Sequence, residues 1–186
     1  SPGGNGWSLL ADSYVKLDTV ANLERLLKAA KQSGLTVLVS PHYYYPTDQN
    51  WSAPGSATEV LMESISVFQR RGPLTLRGFP GSGADFPEQF KPYIHDGRTV
   101  ILSPHKVYGS STNDMLLQLR KLRIEKVIMA VPAGNLCVEA HFRDLLEQGF
   151  EVAMIRDAIG GTLNEEGDGV QAALVNFRFL AHALWT

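Results

Sequence analysis

The sequence predicts a three-layer α/β/α domain on a mostly parallel, Rossmann-like sheet. One observation is the alternation, from residue 99 onward, of short apolar runs with amphipathic stretches bearing helix-start and helix-stop residues. A second is that the apolar runs, such as 126–131 and 151–155, are hydrophobic at nearly every position, the mark of strands buried on both faces. A third is size: 186 residues, 44% hydrophobic and 19% charged, give one domain with its own core, without disordered, collagenous or coiled-coil character. One domain spanning residues 1–186 is expected, with no internal repeat and no linker.

In chain order, residues 17–33 carry Val20, Leu23, Leu26, Leu27 and Ala30 on one face and stop at Gly34, which predicts a helix. Residues 35–39 read as a buried strand. The polar and aromatic segment 40–55, with His42, Tyr43, Tyr44, Tyr45 and Trp51, is a functional or covering loop. A helix is expected over 57–68 and irregular chain over the Gly- and Pro-rich 72–90. Then follow a strand at 99–102, a helix at 111–123 capped by Ser111 or Thr112, a strand at 126–131, a helix at 138–148 closed by Gly149, a strand at 151–155 and a helix at 169–185.

Charge and cysteine usage narrow the function. A formal net charge of -2 lacks the basic footprint that nucleic acid or an anionic membrane requires. No apolar run is long enough for a membrane span, because Arg178 and His182 interrupt the longest one. The single cysteine, Cys137, excludes an internal disulfide and fits a reducing, cytoplasmic setting.

Ligands of doubly wound sheets bind beyond the carboxyl ends of the strands. After the strand at 126–131 comes Pro132-Ala133-Gly134-Asn135-Leu136-Cys137, which sets a thiol at a helix start, where backbone N–H groups and the positive dipole end favour thiolate. Gly134 lets the backbone pass close under a substrate. After the strand at 99–102, Lys106 is a candidate to reach the thiol and lower its pKa, the other reading being a solvated surface lysine, and Tyr108 and Trp51 are candidate pocket walls, the other reading being ordinary packing. The other reading of Cys137 is a small buried hydrophobe. His95, His105, His141 and His182 fall on unlike elements and are assigned surface or capping roles.

These residues resemble the isochorismatase-like cysteine hydrolases, which include nicotinamidases, N-carbamoylsarcosine amidohydrolases and ureidoacrylate hydrolases. The resemblance is strongest over Val127-Ile128-Met129-Ala130-Val131-Pro132-Ala133-Gly134-Asn135-Leu136-Cys137-Val138-Glu139-Ala140, with Arg143-Asp144 and Asp157-Ala158 beyond. Gly81-Ser82-Gly83-Ala84-Asp85 is similar to the family's glycine-rich segment. The resemblance implies Cys137 as nucleophile, Lys106 as its basic partner, and an oxyanion hole from the Ala133 and Cys137 backbone N–H groups, with the Pro132–Ala133 bond cis. It places the family's catalytic aspartate, and the first strand carrying it, ahead of Ser1. It implies a small-molecule amide or ureido substrate, a thioester intermediate and a homo-oligomer; the apolar helix ending at Leu184-Trp185 is a candidate for the subunit contact, with packing against the sheet an equal reading of the same pattern.

The nicotinamidase metal ligands, an Asp-x-His pair and a later His, are not matched by His42-Tyr43-Tyr44, and His42 with Asp48 alone falls short of a ligand set. No metal and no cofactor are expected. Three alternatives remain: vinyl-ether hydrolysis, a non-catalytic binding relative, and a thiol redox sensor.

Overall fold

The structure is a computed structural model, and it describes residues 6–48 and 54–186. Two helices open it, α1 (Trp7–Lys16) and α2 (Thr19–Gln32), followed by β1 (Leu38–Val39), α3 (Ala57–Ser64), α4 (Lys91–Ile94) and β2 (Val100–Ile101). The second half contains α5 (Met115–Lys121), β3 (Lys126–Met129), α6 (Glu139–Glu147) and β4 (Glu151–Ile155). It closes with a β5 (Leu163–Asn164) and β6 (Gly167–Asp168) hairpin, then α7 (Gly169–Leu180) and β7 (Ala183–Trp185).

The expected architecture is present: helices cover both faces of parallel strands. Among the described residues those strands form two ladders, β1-β2 and β3-β4-β7, rather than one continuous sheet. β4 shows how the layers arise. Its side chains alternate faces, so Val152 and Met154 enter the larger core with Leu119, Phe142, Leu145 and Phe177, whereas Ile155 packs with Leu23 of α2. From α7, Val170, Ala173, Leu174 and Phe177 are buried, the spacing of one helical stripe. Asp168 caps that helix, accepting hydrogen bonds from the Val170 N–H at 2.8 Å and the Gln171 N–H at 3.4 Å.

Several sequence expectations change. The sequence pattern does not predict α1, because its hydrophobic positions lie in a short stretch beside Gly and Ser; tertiary contacts hold it. Ser13 Oγ donates to the Gly161 carbonyl at 3.1 Å and accepts from the Gly161 N–H at 3.0 Å, tying α1 to the loop after β4. The first strand is confined to Leu38–Val39 and the second to Val100–Ile101. Helix α5 starts at Met115, after a 3-10 turn over Ser110–Thr112, because the Asp114 carboxylate is turned back to the N–H and hydroxyl of Ser103. The last helix stops at Leu180, and Leu184-Trp185 belongs to β7, paired in parallel with β4. Backbone pairing there outweighs the helical pattern read from residues 181–185.

Candidate active site

Strand register assembles one side of the site. The β1-β2 ladder continues as an isolated parallel bridge between His42 and His105, whose rings stack with centroids 4.6 Å apart. His105 meets His141 of α6 edge-on at 5.1 Å. Ser40 Oγ lies 3.0 Å from His105 Nδ1 and accepts from Asn113 Nδ2 at 2.8 Å. His42 Nε2 donates to the Lys106 carbonyl at 3.2 Å, and His141 Nδ1 donates to the Cys137 carbonyl at 2.8 Å; with a carbonyl as acceptor, each of these nitrogens carries the proton.

Burial lowers the pKa of all three imidazoles, His105 to about 3, its neighbours His42 and His141 lowering it further. The assigned surface or capping roles are therefore corrected for His105 and His141, which are buried at the sheet end. The signal in the sequence was the position of His42 and His105 just past two strands that pair in parallel, although their bridge lies one residue out of the ladder's register, Val39 facing Ile101 and His42 facing His105. Because unfolded His105 takes a proton near pH 6.5 that the folded ring refuses until about pH 3, this group's contribution to stability is present above pH 6.5 and is lost as pH falls toward 3. Unfolding free energies from urea titrations are expected to fall more steeply below pH 6.5 in the wild type than in His105→Asn, by up to about 1.4 kcal/mol per pH unit.

The other side is the loop from β3 into α6. The Pro132–Ala133 peptide bond is cis, and one π-type turn, Gly134–Val138, carries Cys137 into α6. The loop is fixed to the segment after β4 by the Val131 N–H donating to the Ala158 carbonyl at 2.9 Å and the Gly134 N–H donating to that of Gly160. Gly134 is buried, and a Cβ there would stand 3.3 Å from both Ala173 Cβ and the Gly160 carbonyl oxygen. Its missing side chain serves close packing against α7, not the substrate clearance expected from sequence. Among the described residues the Ala133 N–H donates to no hydrogen-bond acceptor.

Ala133, Cys137 and Tyr108 line one cavity of about 260 Å³ with His42, His105 and Ser40. Leu9 and Leu10 of α1, Leu61 and Met62 of α3, and Ile65 form its apolar wall. Tyr108 is fixed by its hydroxyl, 3.3 Å from Thr58 Oγ1. Cys137 Sγ lies 4.0 Å from the Val107 carbonyl, and burial pushes the thiol up to about 11, against the hydrogen bond from its own backbone N–H. Desolvation thus outweighs the helix start that was expected to favour thiolate.

Lys106 is placed differently from the other site candidates. Its ammonium pairs with Asp48, donates to the Tyr43 carbonyl at 3.2 Å and sits 3.9 Å over the Tyr45 ring. It lines a second cavity with Asp48, Glu59 and Glu63 rather than the one beside the sulfur. Asp48 was read from sequence only as a poor metal donor; nothing in its spacing reveals this ion pair. Since the pair is largely buried, Asp48→Ala leaves an unmatched charge and is expected to cost about 3 kcal/mol in denaturant unfolding, with Asp48→Ala/Lys106→Met costing less. Trp51 lies outside the described residues.

His42 gives its Nε2 proton to a carbonyl, which leaves its Nδ1 lone pair free, and Asp48 is paired with Lys106. Among the described residues, no three His, Cys, Asp or Glu side chains are arranged to hold a metal ion, and no helix is long and apolar enough to cross a membrane.

Solved structures share this fold. A cysteine hydrolase from Pseudomonas syringae pv. phaseolicola 1448A superposes with a TM-score of 0.70 at 17% identity, over 90% of this chain and 76% of that one. An N-carbamoylsarcosine amidase from Thermoplasma acidophilum gives 0.63 at 16% identity, over 90% and 81%. A pyrazinamidase of Pyrococcus horikoshii, in complex with zinc, gives 0.60 at 20% identity, over 91% and 86%. No curated protein matches the sequence. The family model of the Isochorismatase domain matches residues 8–184, nearly the whole chain, and the chain belongs to that family of hydrolases.

Proposed function

We propose that this protein is a cysteine-dependent hydrolase that cleaves the C–N bond of a small amide or ureido compound through a thioester on Cys137. The observation that carries the reading is the shared cavity: Cys137 and Ala133, the latter with its N–H unengaged among the described residues, line one pocket at the carboxyl end of a parallel strand.

Sγ attacks the carbonyl carbon and forms a C–S bond while the carbonyl π pair moves to oxygen, where the Ala133 and Cys137 N–H groups receive it. The thiol proton passes through an acceptor to the leaving nitrogen, and collapse breaks the C–N bond. Water then cleaves the thioester, so amide plus water give acid plus amine and Cys137 regains its proton. The acceptor in this proposal is a carboxylate, the group that the family resemblance assigns to this step. The need for one is plain locally, since no described residue lining the cavity is a carboxylate and the buried thiol keeps its proton at neutral pH.

Lys106 enters as the cation that the resemblance assigns to the thiolate. Its test is alkylation: a slower iodoacetamide reaction at Cys137 in Lys106→Met supports that role, and an unchanged rate confines Lys106 to the Asp48 pair. The reading as a whole is tested by ammonia release from a panel of small amides. The raised thiol favours one second reading, a non-catalytic binding relative, which predicts ligand binding in the Cys137 cavity without ammonia. A cytoplasmic homo-oligomer acting on small molecules, with no nucleic-acid partner, completes the proposal.

A further inference from the structure

The cavity beside Cys137 carries more than the position of a nucleophile. Its wall is aliphatic, from Leu9, Leu10, Leu61, Met62 and Ile65, and no lysine, arginine, aspartate or glutamate lines it among the described residues. The polar groups it does present, Ser40, Tyr108, Thr162 and the two imidazoles of His42 and His105, carry no formal charge at neutral pH, because burial keeps both rings unprotonated.

A substrate carboxylate in such a place is desolvated with nothing to pair it, the costliest kind of burial. The one buried ammonium in the neighbourhood, on Lys106, is already held by Asp48. The second cavity, which shares Met62 with the first, adds Glu59 and Glu63, so the nearby field opposes an anion further.

We infer that the site selects an uncharged small amide with an aliphatic body and rejects amides that bear a carboxylate. This rests on the hydrolase reading for the chemistry at Cys137 but not for the binding, since the wall is independent of the sulfur. About 260 Å³ takes a branched body of a few carbons beside the amide. Met62, at the boundary of the two cavities, is the position from which a new charge reaches the substrate body.

The test compares 3-methylbutanamide with succinamate, similar in size and different in charge, on the full chain. Ammonia release is read on wild type, and binding by calorimetry on Cys137→Ser, so that binding is seen without turnover. The expected result is a preference of more than about 100-fold for the neutral amide in both readouts, reduced or reversed in Met62→Arg. If 3-methylbutanamide binds Cys137→Ser with this preference but wild type releases no ammonia, the substrate class stands and the hydrolase reading falls. If succinamate binds or turns over as well as the neutral amide, the inference is overturned even where turnover depends on Cys137. Binding of neither compound also overturns it.

Discussion

Cys137→Ala is expected to lower kcat/KM for amide hydrolysis by about 10⁴-fold or more while leaving the fold intact. The residue is partly buried and small, so its truncation removes little packing, and far-UV circular dichroism and the unfolding midpoint should barely move. A loss of this size follows if sulfur forms the bond to carbon, because a cavity with oxyanion donors but no nucleophile retains only its binding and electrostatic contribution. Ammonia release measured at saturating and at low substrate separates the readings. A rise in KM with kcat unchanged places Cys137 in the wall of the cavity, whereas a drop in kcat places it in the reaction.

The largest effect on stability is expected at the contact between α6 and α7. Phe142 and Phe177 have no exposed surface, and their rings meet edge to face with centroids 5.0 Å apart. Phe142→Ala removes a ring that packs beneath β4 and leaves a void that neighbouring helices cannot fill, at a cost of about 3–5 kcal/mol in urea unfolding. A double-mutant cycle with Phe177→Ala should return a coupling of about 1 kcal/mol, from the aromatic pair itself. The consequence reaches the site, because α6 carries His141 and continues directly from the turn holding Cys137. A cost below about 1 kcal/mol would mean that the two helices do not share one core.

The second half of the fold was legible in the sequence because its signals were strong and local. β4 is apolar at almost every position, α6 and α7 keep a helical stripe, and the stretch from Val127 to Cys137 combines strand, turn and helix start in one run. The loop carrying Cys137 was legible for the same reason, whereas its cis bond was implied only by the resemblance to the family, and the Pro132–Ala133 bond is indeed cis. What escaped depends on contacts distant in sequence. α1 is held by a serine hydroxyl that reaches Gly161, and Leu184-Trp185 takes its strand form from pairing with β4. The histidine stack needs the β1-β2 pairing, which no local pattern reveals, and the Lys106–Asp48 pair joins residues 58 positions apart. Chemical character was harder still. A helix start argues for a thiolate, but how deeply the sulfur is buried decides its pKa, and depth is a property of the packed chain.

Because the chain has a single cysteine, a thiol adduct can form only at Cys137. The most direct test of the account is therefore to alkylate the protein in steps with iodoacetamide, count adducts by intact mass, and measure ammonia release from a neutral amide at each step. Burial raises the thiol pKa, so labelling should accelerate as the pH is raised from 7 to about 9, where most lysines still hold their protons, with the adduct mapped to Cys137 by peptide mass and activity assayed after return to neutral pH. Activity is expected to fall in proportion to labelling of Cys137 and to vanish at one Cys137 adduct per chain. Ammonia release that persists in fully alkylated protein would contradict the account.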